Sequence, residues 1–151
     1  MNRARPGFTL IELLTVVMII GVVVAIATPR MGKINRTADL RASRDHLAAH
    51  IATARHVAIQ RSMTTRMQRA GNLVWVESVG PAGVTLTRDT LDLYAMFGTS
   101  ITSTVTQIRF DPRGFSTGGA PRKFVLKSGA DLKDSVCVTG MGVIMKKGCA
   151  L

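Results

Sequence analysis

Arg5-Pro6-Gly7-Phe8-Thr9-Leu10-Ile11-Glu12-Leu13-Leu14 opens an apolar run that extends to Ala27 and is interrupted by one charge, Glu12. An ionised side chain among lipid tails costs roughly 2.5 to 3.5 kcal/mol even on mild insertion scales, so a partner of opposite sign is expected. No basic residue lies between Gly7 and Arg30. A new chain terminus would supply the missing cation. Cleavage between Gly7 and Phe8 would create an α-amino group one helical turn from Glu12, on this chain or on a neighbouring copy.

Two simpler readings compete. Arg3 and Arg5, the apolar stretch and Ala25-Ile26-Ala27 together fit a secretory signal peptide with an A-x-A cleavage site. Against it, Phe8 to Val24 is 17 residues, longer than the usual ~7 to 15, and contains an acid. A plain single-span anchor is also long enough, since about 20 residues give roughly 30 Å of helix. It leaves Glu12 unexplained. Arg3 and Arg5 on one flank orient such a span with its amino terminus in the cytoplasm and the remainder exported.

The stretch Arg5 to Leu14 resembles the processing site of type IV pilins and of the pseudopilins of type II secretion. The resemblance implies that a prepilin peptidase cuts after Gly7 and N-methylates Phe8. It also implies that Glu12 pairs with an adjacent subunit's amino terminus during assembly, and that Pro29 falls where such chains interrupt their first helix.

The whole chain carries 20 Lys and Arg against 9 Asp and Glu, a net charge of +11; loss of Arg3 and Arg5 leaves 18 against 9. A field of that sign attracts polyanions, DNA and anionic lipid head groups included, wherever the charges cluster. Cys137 and Cys149 would reside in an oxidising compartment on the topology above, which makes a disulfide the natural reading over two buried thiols. Closing that loop would contribute roughly 3 kcal/mol on the chain-entropy model.

Beyond Pro29 the pattern becomes helical and amphipathic. Leu40, Leu47, Ile51, Ala54 and Ala58 recur on one face, with Arg41, Asp45 and Arg55 elsewhere. One continuous helix from Phe8 to Ser62 would run roughly 80 Å. Pro29, which lacks a donor, predicts a kink or local melting, helped by Gly32; two separate helices are the alternative. From Met63 onward strands and turns are expected: Thr64–Arg69 and Leu73–Val79 about Gly71-Asn72, then Val84–Thr87, Thr104–Phe110, Lys123–Lys127, Ser135–Val138 and Gly142–Lys146. Leu91–Phe97 reads as a short helix or a loop. The chain thus divides into a leader (1–7), an assembly and membrane helix (8–28), an amphipathic helix (29–62) and a β-sheet domain (63–151). The predicted class is α+β, a long amino-terminal helix packed on an antiparallel sheet, as in the pilin fold.

Ala54-Arg55-His56-Val57-Ala58-Ile59-Gln60-Arg61-Ser62, Val74-Trp75-Val76 and Ile108-Arg109-Phe110-Asp111-Pro112-Arg113-Gly114 are similar to the GspH/FimT group of pseudopilins and minor pilins. That resemblance implies a low-abundance filament subunit with a type II pseudopilus, or a type IV pilus, as its setting. Its partners would be other subunits, an inner-membrane assembly platform and the membrane itself. Some such minor pilins bind DNA for uptake. Arg122, Lys123, Lys127, Lys146 and Lys147 are the candidate DNA-contacting residues; a solvated basic surface is the competing reading. Trp75 and Tyr94 could stack on bases, or pack within the fold.

Catalysis finds little footing. His46 and His50 would share a helical face as two metal ligands, but the His-Glu-x-x-His pattern is absent, as are a phosphate-binding Gly-Lys-Ser/Thr loop and a Gly-x-Ser-x-Gly elbow. The sequence therefore predicts no enzyme, no cofactor and no metal.

Overall fold

The computed structural model describes residues 8–80, 83 and 85–146, with side chains at all of these except 27–31, 33 and 85–89. Two compact units divide the chain, Met1–Arg36 and Thr37–Leu151. Helix α1, Leu10–Arg61, contributes to both.

From Leu10 to Ile26, α1 is apolar on every side apart from Glu12 and Thr15. Leu10, Ile11, Leu13, Val17, Ile20, Val23 and Ile26 are all exposed. A surface of this kind is sustained in an aqueous setting only when lipid or other helices cover it. The helical assignment continues without a break through position 29, so the local melting expected at Pro29 does not occur. Proline has a φ near the helical value but leaves the carbonyl one turn earlier without its donor and crowds that turn, so the helix is weakened there without being interrupted.

In the second unit the period of apolar side chains determines the packing. Leu40, Leu47, Ile51, Ala54 and Ala58 are all buried, the last four completely. Alanine at the last two contact positions leaves room for close approach to the strands. The helix ends in a Schellman arrangement: Met63 N–H donates to the Ala58 carbonyl at 3.2 Å and Ser62 N–H to that of Ile59 at 3.3 Å. Ser62 occupies the left-handed position, at φ 50°.

Nine strands form two antiparallel sheets among the described residues. The first has the order β3-β2-β1-β5-β6, with β1 Thr65–Ala70, β2 Leu73–Val79, β3 Thr85–Asp92, β5 Gln107–Phe110 and β6 Ser116–Thr117. The second has the order β4-β7-β8-β9, with β4 Ser100–Ile101, β7 Arg122–Ser128, β8 Leu132–Val138 and β9 Ile144–Met145. Gly71-Asn72 forms the two-residue turn between β1 and β2, Ala70 opposite Leu73. Gly71 alone takes positive φ there, the requirement of a type II′ hairpin. Met67, Val74, Val76, Ile108 and Phe110 from the first sheet meet Phe124, Leu126, Val136 and Val138 from the second and the buried stripe of α1 in one core. Each large side chain so buried contributes about 1.5 to 3 kcal/mol.

Several expected boundaries move. Val84–Thr87 is part of a longer strand, Thr85–Asp92, with Val84 itself outside the described residues. Leu91–Phe97 divides into the end of that strand and helix α2, Leu93–Phe97, whose N-cap Asp92 accepts from Tyr94 and Ala95 N–H. Thr104–Phe110 narrows to Gln107–Phe110, because Arg69 holds the preceding segment as a loop: its guanidinium donates to the carbonyls of Ser103, Val105 and Gly71. Gly142–Lys146 shortens to Ile144–Met145. The two-residue strands β4 and β6 carry too few residues to show any period and were not expected.

Candidate functional site

At the amino-terminal end, Phe8 lies just ahead of α1 and is 82% exposed; Gly7, the other half of the expected junction, lies outside the described residues. Thr9 is the N-cap. Its Oγ1 accepts from Glu12 N–H at 3.3 Å and lies 3.5 Å from Glu12 Oε2. Thr9 and Glu12 thus have the spacing of a capping box, and the acid sits in the first turn, where the helix dipole favours it. This local role was legible as Thr-x-x-Glu and adds to the pairing role expected of Glu12. The Glu12 carboxylate is exposed on an apolar helix, and no cation among the described residues pairs with it. It is available to an amine from another chain. Among the described residues no helix is long and apolar enough to cross a membrane; described side chains of the apolar run end at Ile26, short of the ~20 residues a span takes.

Among the described residues, the basic candidates are distributed over more than one strand face. Lys123 and Lys127 share one face of β7 with Val125, while Arg122 alternates onto the face of Phe124 and Leu126. Its guanidinium lies near Gly118, where an added Cβ would stand 3.0 Å from Arg122 Nη2. Lys146 is engaged, its Nζ 3.2 Å from Asp45 Oδ1, and Lys147 lies outside the described residues. Lys133, which the sequence reading passed over, stands directly opposite Lys127 across the β7–β8 pair.

A second group ties α1 to the sheet domain. Arg44 donates from Nη1 to Asp134 Oδ2 at 3.0 Å and from Nε and Nη2 to Asp45 Oδ1 at 3.1 and 3.0 Å. Burial pushes the Asp45 carboxyl upward, but Arg44 and Lys146 outweigh it and hold the group below its ordinary value of 3.8. On the first sheet, Glu77 accepts from Trp75 Nε1 at 2.8 Å and Arg66 Nε at 2.9 Å, and also from Gln68. Burial again opposes ionisation, and these three donors prevail to keep Glu77 below 4.5. Trp75 is accordingly a member of a cross-strand polar cluster, and Tyr94, 63% exposed, belongs to α2.

Cys137 is fully buried and disulfide-bonded; Cys149, its expected partner, lies outside the described residues. His46 packs its ring against Phe97 with centroids 5.1 Å apart. No group of three or more His, Cys, Asp or Glu among the described residues could hold a metal ion. The two internal motif segments meet in space: Arg55 Nε donates to the Gly114 carbonyl at 3.0 Å. Gly142 closes on the same point, since a Cβ there would stand 2.3 Å from Gly114 O. Short-range sequence reading gives no sign of this contact, which spans 59 positions.

Comparison with known proteins agrees with this geometry. Residues 2–28 match the prokaryotic N-terminal methylation motif, and residues 44–142 match the family described as type II transport protein GspH. The fold is similar to that of the type IV minor pilin FimU of Pseudomonas aeruginosa strain PAO1 in two crystal forms. One gives a TM-score of 0.62 at 16% identity, over 76% of this chain and 92% of that one. The other gives 0.59 at 17% identity, over 72% and 93%. No curated protein matches the chain. With a prepilin-type amino terminus leading into a helix packed on two antiparallel sheets, the chain has the pilin fold and belongs to the GspH family.

Proposed function

We propose that the chain is a minor pseudopilin of a type II secretion system. A prepilin peptidase cuts it between Gly7 and Phe8 and methylates the new Phe8 amine. Residues 8–28 hold it in the inner membrane, amino terminus cytoplasmic and carboxyl-terminal domain periplasmic, until an assembly platform draws it into the pseudopilus. Glu12 receives the amine of a neighbouring subunit, and Pro29 loosens the helix during extraction from the bilayer. The observation carrying this reading is a helix apolar on all sides with one exposed acid beside its capped start. Such a helix has reason to exist only if other chains or lipid cover it. The GspH family match supports the secretion setting.

The likeness to FimU favours a second setting, a FimT-like minor pilin of a type IV pilus, with DNA capture for uptake as an added role. Deleting the gene and measuring exoprotein release beside twitching and DNA uptake separates the two. Loss of secretion alone is the expected result; loss of twitching or uptake alone assigns the chain to a pilus. For the subunit role itself, Glu12→Val should still insert in the membrane and be processed yet fail to enter filaments. Normal incorporation of that variant would rule out the charge pairing.

A further inference from the structure

An open groove of about 750 Å³ runs between α1 and the β7–β8 pair of the second sheet. Leu40, Val125 and Leu132 contribute apolar lining, and Arg41, Lys123 and Lys133 bring exposed cations to it. Asp134, the one acid among the described lining residues, is engaged by Arg44, whose own charge is shared with Asp45. Among the described residues, Arg41, Lys123 and Lys133 form no ion pair. Lys127 faces Lys133 directly across the strand pair, and like charges so placed destabilise a sheet. Among the described residues, no acid offsets the electrostatic cost of this surface.

We propose that this groove docks an acidic, amphipathic polypeptide segment of a different subunit. The inference rests on reading the chain as a filament subunit and names a surface through which it recognises a neighbour. Two features select the occupant. Cations beside aliphatic side chains suit a segment that presents carboxylates next to leucine-like side chains, and the volume falls in the range of ligand-sized clefts. Nucleic acid would use the cations but not Leu40, Val125 and Leu132, and the described lining residues include no aromatic for a base to stack on; Trp75 is committed to Glu77 on the other sheet. A second copy of this chain is disfavoured by its net charge of +11.

The test uses the detergent-solubilised full chain and a fluorescent synthetic 15-residue peptide alternating Leu and Glu at helical spacing, read by anisotropy. Binding that weakens with salt is expected. A drop of about tenfold or more is expected on Lys123→Glu combined with Lys133→Glu, with affinity retained in Lys133→Arg. A Gln-for-Glu peptide and a Ser-for-Leu peptide should each bind about tenfold more weakly. Peptide binding indifferent to the charge reversals would overturn the proposal. So would a single-stranded oligonucleotide of equal charge that binds at Lys123 and Lys133 more tightly than the peptide, which would assign the surface to nucleic acid. Glu12→Val should leave peptide binding intact, so loss of filament entry and loss of groove binding are separate results.

Discussion

Arg55 and the two glycines around it show how single positions hold the helix to its loops. Gly114, at φ +83°, offers its carbonyl to Arg55, and Gly142, at φ +75°, lies so close that any side chain would meet that carbonyl. Gly142→Ala combines a left-handed backbone with a backbone clash and is expected to cost about 3 kcal/mol, measured as a lowered urea midpoint. Glu77 has an opposite kind of dependence. Its carboxyl titrates lower in the folded chain than its ordinary 4.5, so the unfolded chain binds its proton first as pH falls. The stabilisation is complete above that ordinary value and disappears as pH drops through the lower folded one. Urea midpoints should therefore decline as pH is lowered from above 4.5 to below it, and Glu77→Gln should flatten that decline. An unchanged slope in the variant would place the acid sensitivity elsewhere, Asp45 being the next group shifted in the same direction.

Among the elements, α1 alone mixes two designs. Its first part is apolar all round, and its second part is a one-faced amphipathic helix whose stripe from Leu40 to Ala58 is buried. The end of the helix is imperfect: Ser62 takes the left-handed position that glycine fills without strain. Ser62→Gly is expected to raise stability by about 1 kcal/mol, seen as a higher thermal midpoint, because the Cβ penalty of that conformation is removed. The β1–β2 hairpin is the opposite case. Gly71-Asn72 supplies the turn, alternation supplies the buried face, and Arg66 and Gln68 meet Glu77 across it. Helix α2 needs Asp92 because five residues cannot nucleate a helix alone; the side chain satisfies two of its first N–H groups.

For the molecule as a whole, the bond at Cys137 contributes at the far end of the second sheet. Reduction is expected to lower stability by roughly 3 kcal/mol, and Cys137→Ala should remove the sensitivity to reductant; a reductant-insensitive midpoint in the parent chain would count against the Cys137–Cys149 bridge. The α+β class, the helix stripe, the first hairpin and the family followed from local features: a period of apolar residues, a two-residue turn and a ten-residue motif each carry their meaning within a few positions. Strands β4 and β6 did not, nor did the Arg69 loop clasp, the Arg55–Gly114 contact or the Arg44 network, because each depends on partners tens of positions away that only chain closure brings together. The basic residues make the same point. Composition established the charge, but which lysines share a face, which are neutralised by Asp45 and which border an apolar groove was decided by strand alternation and by the packing of α1 on β7 and β8, since charge becomes a surface only when the fold assigns it a place.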